Sequence, residues 1–277
     1  MQLKLTMSMA NDNLTLGATA GESQWIVKLP GRDLAVLPDV EFSTMAWARN
    51  AGFDVPRCSV VPTTALSDVP PGWCEAVHSA FAIERFDRRS DGSKIHQEDL
   101  CQALEILPDH KYADSGRHRV SHDGVLAFVR DVAGEEAARE LARRVGFTIA
   151  CGNGDAHLKN WSLLWGNASR PSIAPCYDFV ATIAWPETVG WDRLRGPQLA
   201  LKLGGEQHFS RLSSTTLARH AGRSGCVWAG EEVMAGIARA RDAWVACVDA
   251  MPDVMRRELT RHWREVPLLD AVGLPGR

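Results

Sequence analysis

The chain has 277 residues, 45% of them hydrophobic and 23% charged, which is enough apolar content for a sizeable core and unlike a disordered polymer. Its formal net charge of -3 argues against a general polyanion-binding role, because that role needs a basic face to neutralise phosphates. Seven scattered cysteines with no C-x-x-C pair indicate neither a disulfide framework nor a zinc site, and no apolar run approaches the ~18 residues of a membrane span.

Taken in chain order, Met1 to Thr6 lacks the apolar centre of a signal peptide, so a cytoplasmic protein with no membrane association is expected. Residues 25–29, Trp-Ile-Val-Lys-Leu, form a β-prone run closed by Pro30-Gly31. Over residues 38–50, Val40, Phe42, Met45, Ala46 and Trp47 recur near helical spacing, and Gly52 lies just beyond. Residues 57–61 and 79–86 read as further strands. From about residue 95 the pattern turns helical, with helices expected over 97–107, 125–132 and 135–150. Two short β-prone pieces, 161–165 and 172–174, follow. From residue 212 onward the chain reads as mostly helix.

The most informative stretch is Gly152-Asn153-Gly154-Asp155-Ala156-His157-Leu158-Lys159-Asn160, with Tyr177-Asp178 following 18 positions after Asn160. Gly152 and Asn153 would stop a helix by themselves, but helix termination does not explain Asp-x-His-x-Lys-Asn or the later Asp. The spacing D-x-x-x-x-N is that of a phosphoryl-transfer loop: a carboxylate orients an attacking hydroxyl, and an amide oxygen and a second carboxylate hold a divalent cation. On this reading Asp155 is the base, Asp178 and Asn160 are ligands of Mg²⁺, and Lys159 neutralises charge on the transferring group. His157 has no second histidine nearby, so orientation of Asp155 or of a nucleotide suits it better than metal ligation. A small sheet-bearing lobe (1–90) followed by a larger, mainly helical lobe (91–277) that carries this loop gives an α+β, bilobal, protein-kinase-like layout.

Lys28 shares a strand face with Ile26, where it would be poorly solvated unless a phosphate or carboxylate met it. A strand-end lysine reaching water is the alternative. Glu41, 13 residues on, could pair with it or simply lie on a solvated helix face. The segment Glu84-Arg85-Phe86-Asp87-Arg88 falls where the lobes join, and its peptide groups could meet an adenine edge or its charges could tie a strand end. His96-Gln97-Glu98-Asp99-Leu100 reads as a helix start with acidic residues in the first turn. Lys111, Arg117, His118 and Arg119 form a basic cluster, either a solvated loop or a surface for an anionic substrate.

These pieces occur together, and in order, in one family. The chain resembles the HipA-type serine/threonine kinases, the toxins of bacterial toxin–antitoxin pairs, through residues 25–30, 84–88, 96–102, 152–160 and 174–178. The resemblance implies ATP and Mg²⁺ as cofactors, Asp155 as proton acceptor, and Asp178 and Asn160 on the metal. It further implies that Lys28 meets the nucleotide phosphates and that Glu84, Arg85 and Phe86 meet adenine through their backbone. Gln97 would lie nearby, and His157 and Tyr177 would border the nucleotide.

The chain starts close to Lys28, so it is expected to be a short, HipT-like member whose N-terminal subdomain is supplied by a separate small protein. The family's phosphate loop is matched poorly by residues 7–13, and Thr6 and Ser8 fall near the site where relatives phosphorylate themselves. Expected partners are that small protein, a helix-turn-helix antitoxin that binds DNA on the kinase's behalf, and an aminoacyl-tRNA synthetase as substrate. Direct nucleic-acid binding is not expected. A small-molecule kinase of the aminoglycoside or choline type and an inactive nucleotide-binding scaffold in a repressor complex are the alternatives.

Overall fold

The computed structural model describes residues 3–10, 13–16, 23–31, 34–70, 72–75, 77–89, 91–113, 120–166, 169–185 and 197–275. Leu3, Leu5, Met7 and Met9 alternate with Lys4, Thr6 and Ser8, and this period of two builds strand β1 (Leu3–Ala10). It pairs antiparallel with β2 (Asn13–Leu16) on one side and β3 (Trp25–Leu29) on the other. Residues 7–10 and 13, compared above with a phosphate loop, therefore lie in strands; Asn11 and Asp12 fall outside the described residues.

Helix α1 (Leu37–Asn50) opens with Pro38, whose missing N–H would have no intrahelical partner there anyway. Strands β4 (Cys58–Pro62), β5 (Leu66–Ser67) and β6 (Ser79–Glu84) complete a six-stranded sheet of order β4-β6-β3-β1-β2-β5. Leu5, Met7, Trp25, Val27 and Leu29 gather on one face in a small apolar cluster. Phe81 and Ile83, on the other face of β6, join Val40, Met45 and Trp47 of α1 in the main core, which continues through the helical part.

The helix expected over 97–107 is corrected. Residues 96–99 form β7 (His96–Asp99), and only one helical turn follows, α2 (Leu100–Ala103). Asp99 and Gln102 close a capping box, so the helix cannot begin earlier, and Glu105 at φ 54° ends it. The acidic residues that suggested a first turn are strand and cap. Helices α3 (His122–Ala133) and α4 (Glu135–Ala150) then match their expected places, followed by β8 (Ser162–Trp165) and β9 (Ser172–Ile173). A hairpin of β10 (Gln198–Leu203) and β11 (Glu206–His208) precedes α5 (Ser214–Ser224), α6 (Ala229–Cys247), α7 (Asp253–Glu265) and α8 (Pro267–Asp270). Arg117, His118 and Arg119 of the basic cluster lie outside the described residues. Among the described residues, no helix is long and apolar enough to cross a membrane.

Helix α4 is the axis of the helical part. It packs on α6 through two glycines: a Cβ on Gly236 would lie 1.9 Å from the Arg143 carbonyl oxygen, and one on Gly146 would lie 2.1 Å from that of Val233. Trp47 ties α1 to the same pair of helices. Its indole N–H donates to the Ala240 carbonyl at 2.8 Å, and its ring meets Phe147 and Trp244 edge-on. At its C-terminal end α4 receives two donors from α7, His262 Nε2 to Ile149 O at 2.8 Å and Trp263 Nε1 to Ala150 O at 2.9 Å. These carbonyls belong to the last helical turn, whose oxygens have no partner within the helix.

Two outcomes are expected. Gly236→Ala places a methyl against backbone rather than against a yielding side chain, so it should cost on the order of 1–3 kcal/mol and lower the thermal midpoint by several degrees. A midpoint equal to wild type would contradict this packing. Burial also holds the imidazoles of His262 and His122 neutral, at pKa values of about 4 and about 3. The unfolded chain takes up these protons near pH 6.5 and the folded chain does not, so unfolding free energy should fall as pH drops from about 6.5 to 4. Denaturant titrations at several pH values should show a shallower slope in His262→Gln.

Candidate active site

The candidate catalytic loop begins where α4 stops. Gly152 takes the left-handed φ of 63°, and its N–H reaches Ile149 O at 3.2 Å while Asn153 N–H reaches Thr148 O at 3.0 Å. This pair of bonds is a Schellman close, so the stop signal in Gly-Asn is real and also aims the following residues. A side chain at Gly152 would strike Ile183, whose Cδ1 lies 2.5 Å from the Cβ position.

Asn153 then turns the chain, its side-chain oxygen accepting from Asp155 N–H at 3.0 Å and its Nδ2 reaching Asp178 O at 3.5 Å. Thr182 laces the two segments: its hydroxyl accepts from Gly154 N–H at 2.7 Å and donates to Gly152 O at 3.1 Å. Through these contacts Asp155 and Asp178 are held in one frame.

Lys28 on β3 is 3% exposed, and its ammonium contacts both Glu41 Oε1 on α1 and Asp178 Oδ1. The pairing with Glu41 therefore forms, and the solvated alternatives for both residues are set aside. Lys4 stands directly opposite Lys28 in the β1–β3 register and donates to Asp178 Oδ2 at 3.2 Å. Two ammonium groups on one sheet face would repel, and the carboxylate between them resolves that. Burial pulls the Lys28 pKa down, but Glu41 and Asp178 outweigh it and lift it above the ordinary value. Burial likewise opposes charge on Asp178, yet Lys28 and Lys4 hold its carboxyl well below the usual range. Glu41 is raised, because burial costs it more than Lys28 returns. Asp178 also adopts φ 55°, a conformation a non-glycine residue holds only when its surroundings enforce it.

The short turn Leu158–Asn160 follows Asp155. Leu158 is fully buried, and Asn160 is 6% exposed with its Oδ1 lacking a hydrogen-bond partner among the described residues. A buried amide oxygen without a donor, on a residue that lines the same cavity as Asp155 and Asp178, is chemically suited to a hard cation such as Mg²⁺. Among the described residues, no group of three or more His, Cys, Asp and Glu could hold a metal by itself. The donor set thus fits a cation that also takes oxygens from a phosphate or water.

Lys159 is tied to Asp99 Oδ2 at 2.8 Å. Asp155 Oδ1 accepts from the Tyr112 hydroxyl at 2.6 Å, and Tyr112 meets His157 edge-on. Burial lowers His157 to about 4, so its ring is neutral at pH 7.

On the far side, Tyr177 bonds Ser162 Oγ and Lys159 O and lies 5.3 Å from the Phe86 ring, while Gln97 Nε2 donates to Ser162 Oγ at 2.9 Å. The N–H groups of Glu84 and Arg85 donate to Arg57 O and Gln24 O, so those two donors are not offered to a ligand. Arg85 is engaged by Asp87 through two hydrogen bonds.

Lys4, Lys28, Asp155, Asn160, Tyr177 and Asp178 border one cavity of about 690 Å³. Every base, metal and nucleotide residue singled out from the sequence lines it; Thr6 and Ser8 do not. Both lie on β1, in the same alternate set as Lys4. Lys4, Asn153, Thr182 and Tyr112 were not assigned roles from the sequence. The alternation of residues 3–9 could have placed Lys4 on a strand beside Lys28, but nothing local marks Tyr112 or Thr182.

A family model described as the HipA-like C-terminal domain matches residues 1–253. The chain belongs to this family. A Sinorhizobium fredii protein named as a candidate kinase, Y4dM, is 39% identical over 193 residues, covering 68% of this chain and 45% of that protein. A candidate kinase of Haemophilus influenzae is 31% identical over 188 residues, covering 66% and 52%. The chain thus spans about half the length of the curated relatives it matches.

Among solved structures, Shewanella oneidensis MR-1 HipA, determined with HipB and its operator DNA, superposes with TM-score 0.72 at 22% identity, covering 97% of this chain and 62% of that one. The Helicobacter pylori proinflammatory kinase CtkA gives 0.54 at 14%, covering 95% and 88%. These likenesses establish a kinase-like α+β fold.

Thr182→Val should leave Gly154 N–H buried without a partner and Gly152 O with only its bond from Ile183 N–H, a loss of about 1–2 kcal/mol, whereas Thr182→Ser should retain most of the stability. Equal thermal midpoints for Val and wild type would show that the threonine does not hold the loop.

Proposed function

We propose that this HipA-like chain is an ATP- and Mg²⁺-dependent serine/threonine protein kinase. The observation that carries the reading is the convergence of Asp155, Asn160 and Asp178 with buried Lys28 on one cavity. Asp178 and Asn160 Oδ1 would hold Mg²⁺, which when bound neutralises charge on the nucleotide phosphates. Asp155 takes the proton of the acceptor hydroxyl. Lys28 and Lys4 release Asp178 and turn to the phosphates, exchanging one anionic partner for another. Lys159, anchored by Asp99, offers positive charge at the edge of the same cavity. Phe86, Gln97, Tyr177 and the Glu84–Arg85 backbone border the adenine, and neutral His157 helps to orient the base.

The wider role rests on the family. In our reading the chain is a toxin of a toxin–antitoxin system, with residues 1–90 and 91–277 as the two lobes that close on ATP. The Shewanella HipA complex with HipB and operator DNA supports a helix-turn-helix antitoxin as partner. A small protein resembling the N-terminal subdomain is the second partner. The acceptor is a serine or threonine hydroxyl, by family analogy on an aminoacyl-tRNA synthetase, and the setting is the cytoplasm. Self-phosphorylation at Thr6 or Ser8 would add nearly two negative charges beside Lys4. Transfer of label from ATP into protein rather than into a low-mass fraction separates this reading from a small-molecule kinase.

The decisive comparison is wild type against Asp155→Asn. Turnover of Mg-ATP should fall by about 10²- to 10⁴-fold in the variant, the range expected for loss of a general base. No turnover in either protein would favour an inactive nucleotide-binding scaffold, and equal turnover in both would overturn the role of Asp155 as base.

A further inference from the structure

We infer that Tyr112 is a positioning residue for Asp155, engaging one oxygen of the carboxylate so that the other is presented to the acceptor hydroxyl. The inference rests on the reading of Asp155 as proton acceptor. Within the loop, Asn153 meets Asp155 at its backbone N–H and not at its carboxylate. The hydrogen bond to the carboxylate itself comes from outside the loop, from the Tyr112 phenol to Oδ1 at 2.6 Å across 43 residues of sequence. A carboxylate on a short stem rotates easily, and a base held within a few tenths of an ångström transfers protons far better than one that wanders.

The placement of Tyr112 is built into the fold. The carbonyl of the preceding residue, Lys111, accepts from Leu158 N–H at 3.1 Å, so this segment is bonded by main chain to the loop that carries Asp155. Leu158 is completely buried, which makes the junction a rigid one. The following residue, Ala113, is 6% exposed in the main core and holds φ 51°, with its N–H bonded to His110 O at 2.8 Å. A left-handed alanine persists only where its surroundings enforce it, so the backbone on both sides of Tyr112 is held.

The ring is confined as well. It packs edge-on against His157, with centroids 5.2 Å apart, and Lys111 Nζ lies 5.0 Å from its centre. Tyr112 is 39% exposed and reaches Asp155, which lines the cavity, from the neighbour of another lining residue, Lys111.

The test uses the full chain, Mg-ATP and release of ADP. Tyr112→Phe keeps the ring and its contacts and removes only the hydroxyl. We expect kcat to fall on the order of 10-fold, with KM for ATP and the thermal midpoint close to wild type. In an Asp155→Asn background the same substitution should have no further effect, because Tyr112 acts through that carboxylate. An unchanged kcat in Tyr112→Phe, while Asp155→Asn is impaired, would sink this inference and leave the proposed function standing. A rise in kcat would make the phenol a blocking group, and phosphate mapped to Tyr112 in the wild type would make it an acceptor; either result overturns the positioning role. A wild type with no Asp155-dependent ADP release overturns both readings together.

Discussion

The buried ammonium of Lys28 is the interaction on which the site depends. It comes from the sheet, its carboxylate partners come from α1 and from the segment after β9, and so it joins three parts of the chain at one point. Taking such a charge out of water costs several kcal/mol, and removal of one partner from a buried pair typically costs 3–5 kcal/mol. With Lys4 included, two ammonium groups face two carboxyl groups. The arrangement satisfies itself, and on the proposed reading both lysines would trade Asp178 for phosphate oxygens while Mg²⁺ took their place on that carboxylate. Stability and readiness for an anionic ligand therefore have the same origin.

The loop over residues 152–160 is held for a different reason. Helix α4 is pinned to α6 along its length by close backbone contact and at its end by His262 and Trp263 of α7, residues more than a hundred positions away in sequence. The Schellman close at Gly152 converts that rigid end into a defined direction for Asp155. Thr182 and Asn153 then transmit the same frame to Asp178. A core remote from the cavity thus sets the separation of Asp155 and Asp178.

Much of the site was legible because the Asp155 to Asn160 spacing is local, and its chemistry follows from residue types on one loop. Lys28 was legible because alternation along a strand left a charge on an apolar face. Residues 97–107 were misread because acidic residues ahead of an apolar pair look alike whether they cap a helix or fill its first turn, and Asp99 does the former. The period of two in residues 3–9 is a strong strand signal, but comparison with a loop pattern hid it, and Lys4 with it. Tyr112 and Thr182 act through contacts that only the folded chain creates.

The central claim is that Asp155, Asn160, Asp178 and Lys28 serve one bound nucleotide. The most direct measurement is a crystal structure of the chain with a non-hydrolysable ATP analogue and Mg²⁺. The expected density shows the metal on Asp178 and Asn160 Oδ1, Lys28 turned to the phosphates, and the terminal phosphate facing Asp155. A nucleotide bound elsewhere, with the contact between Lys28 and Asp178 intact and no metal at Asn160, would contradict it.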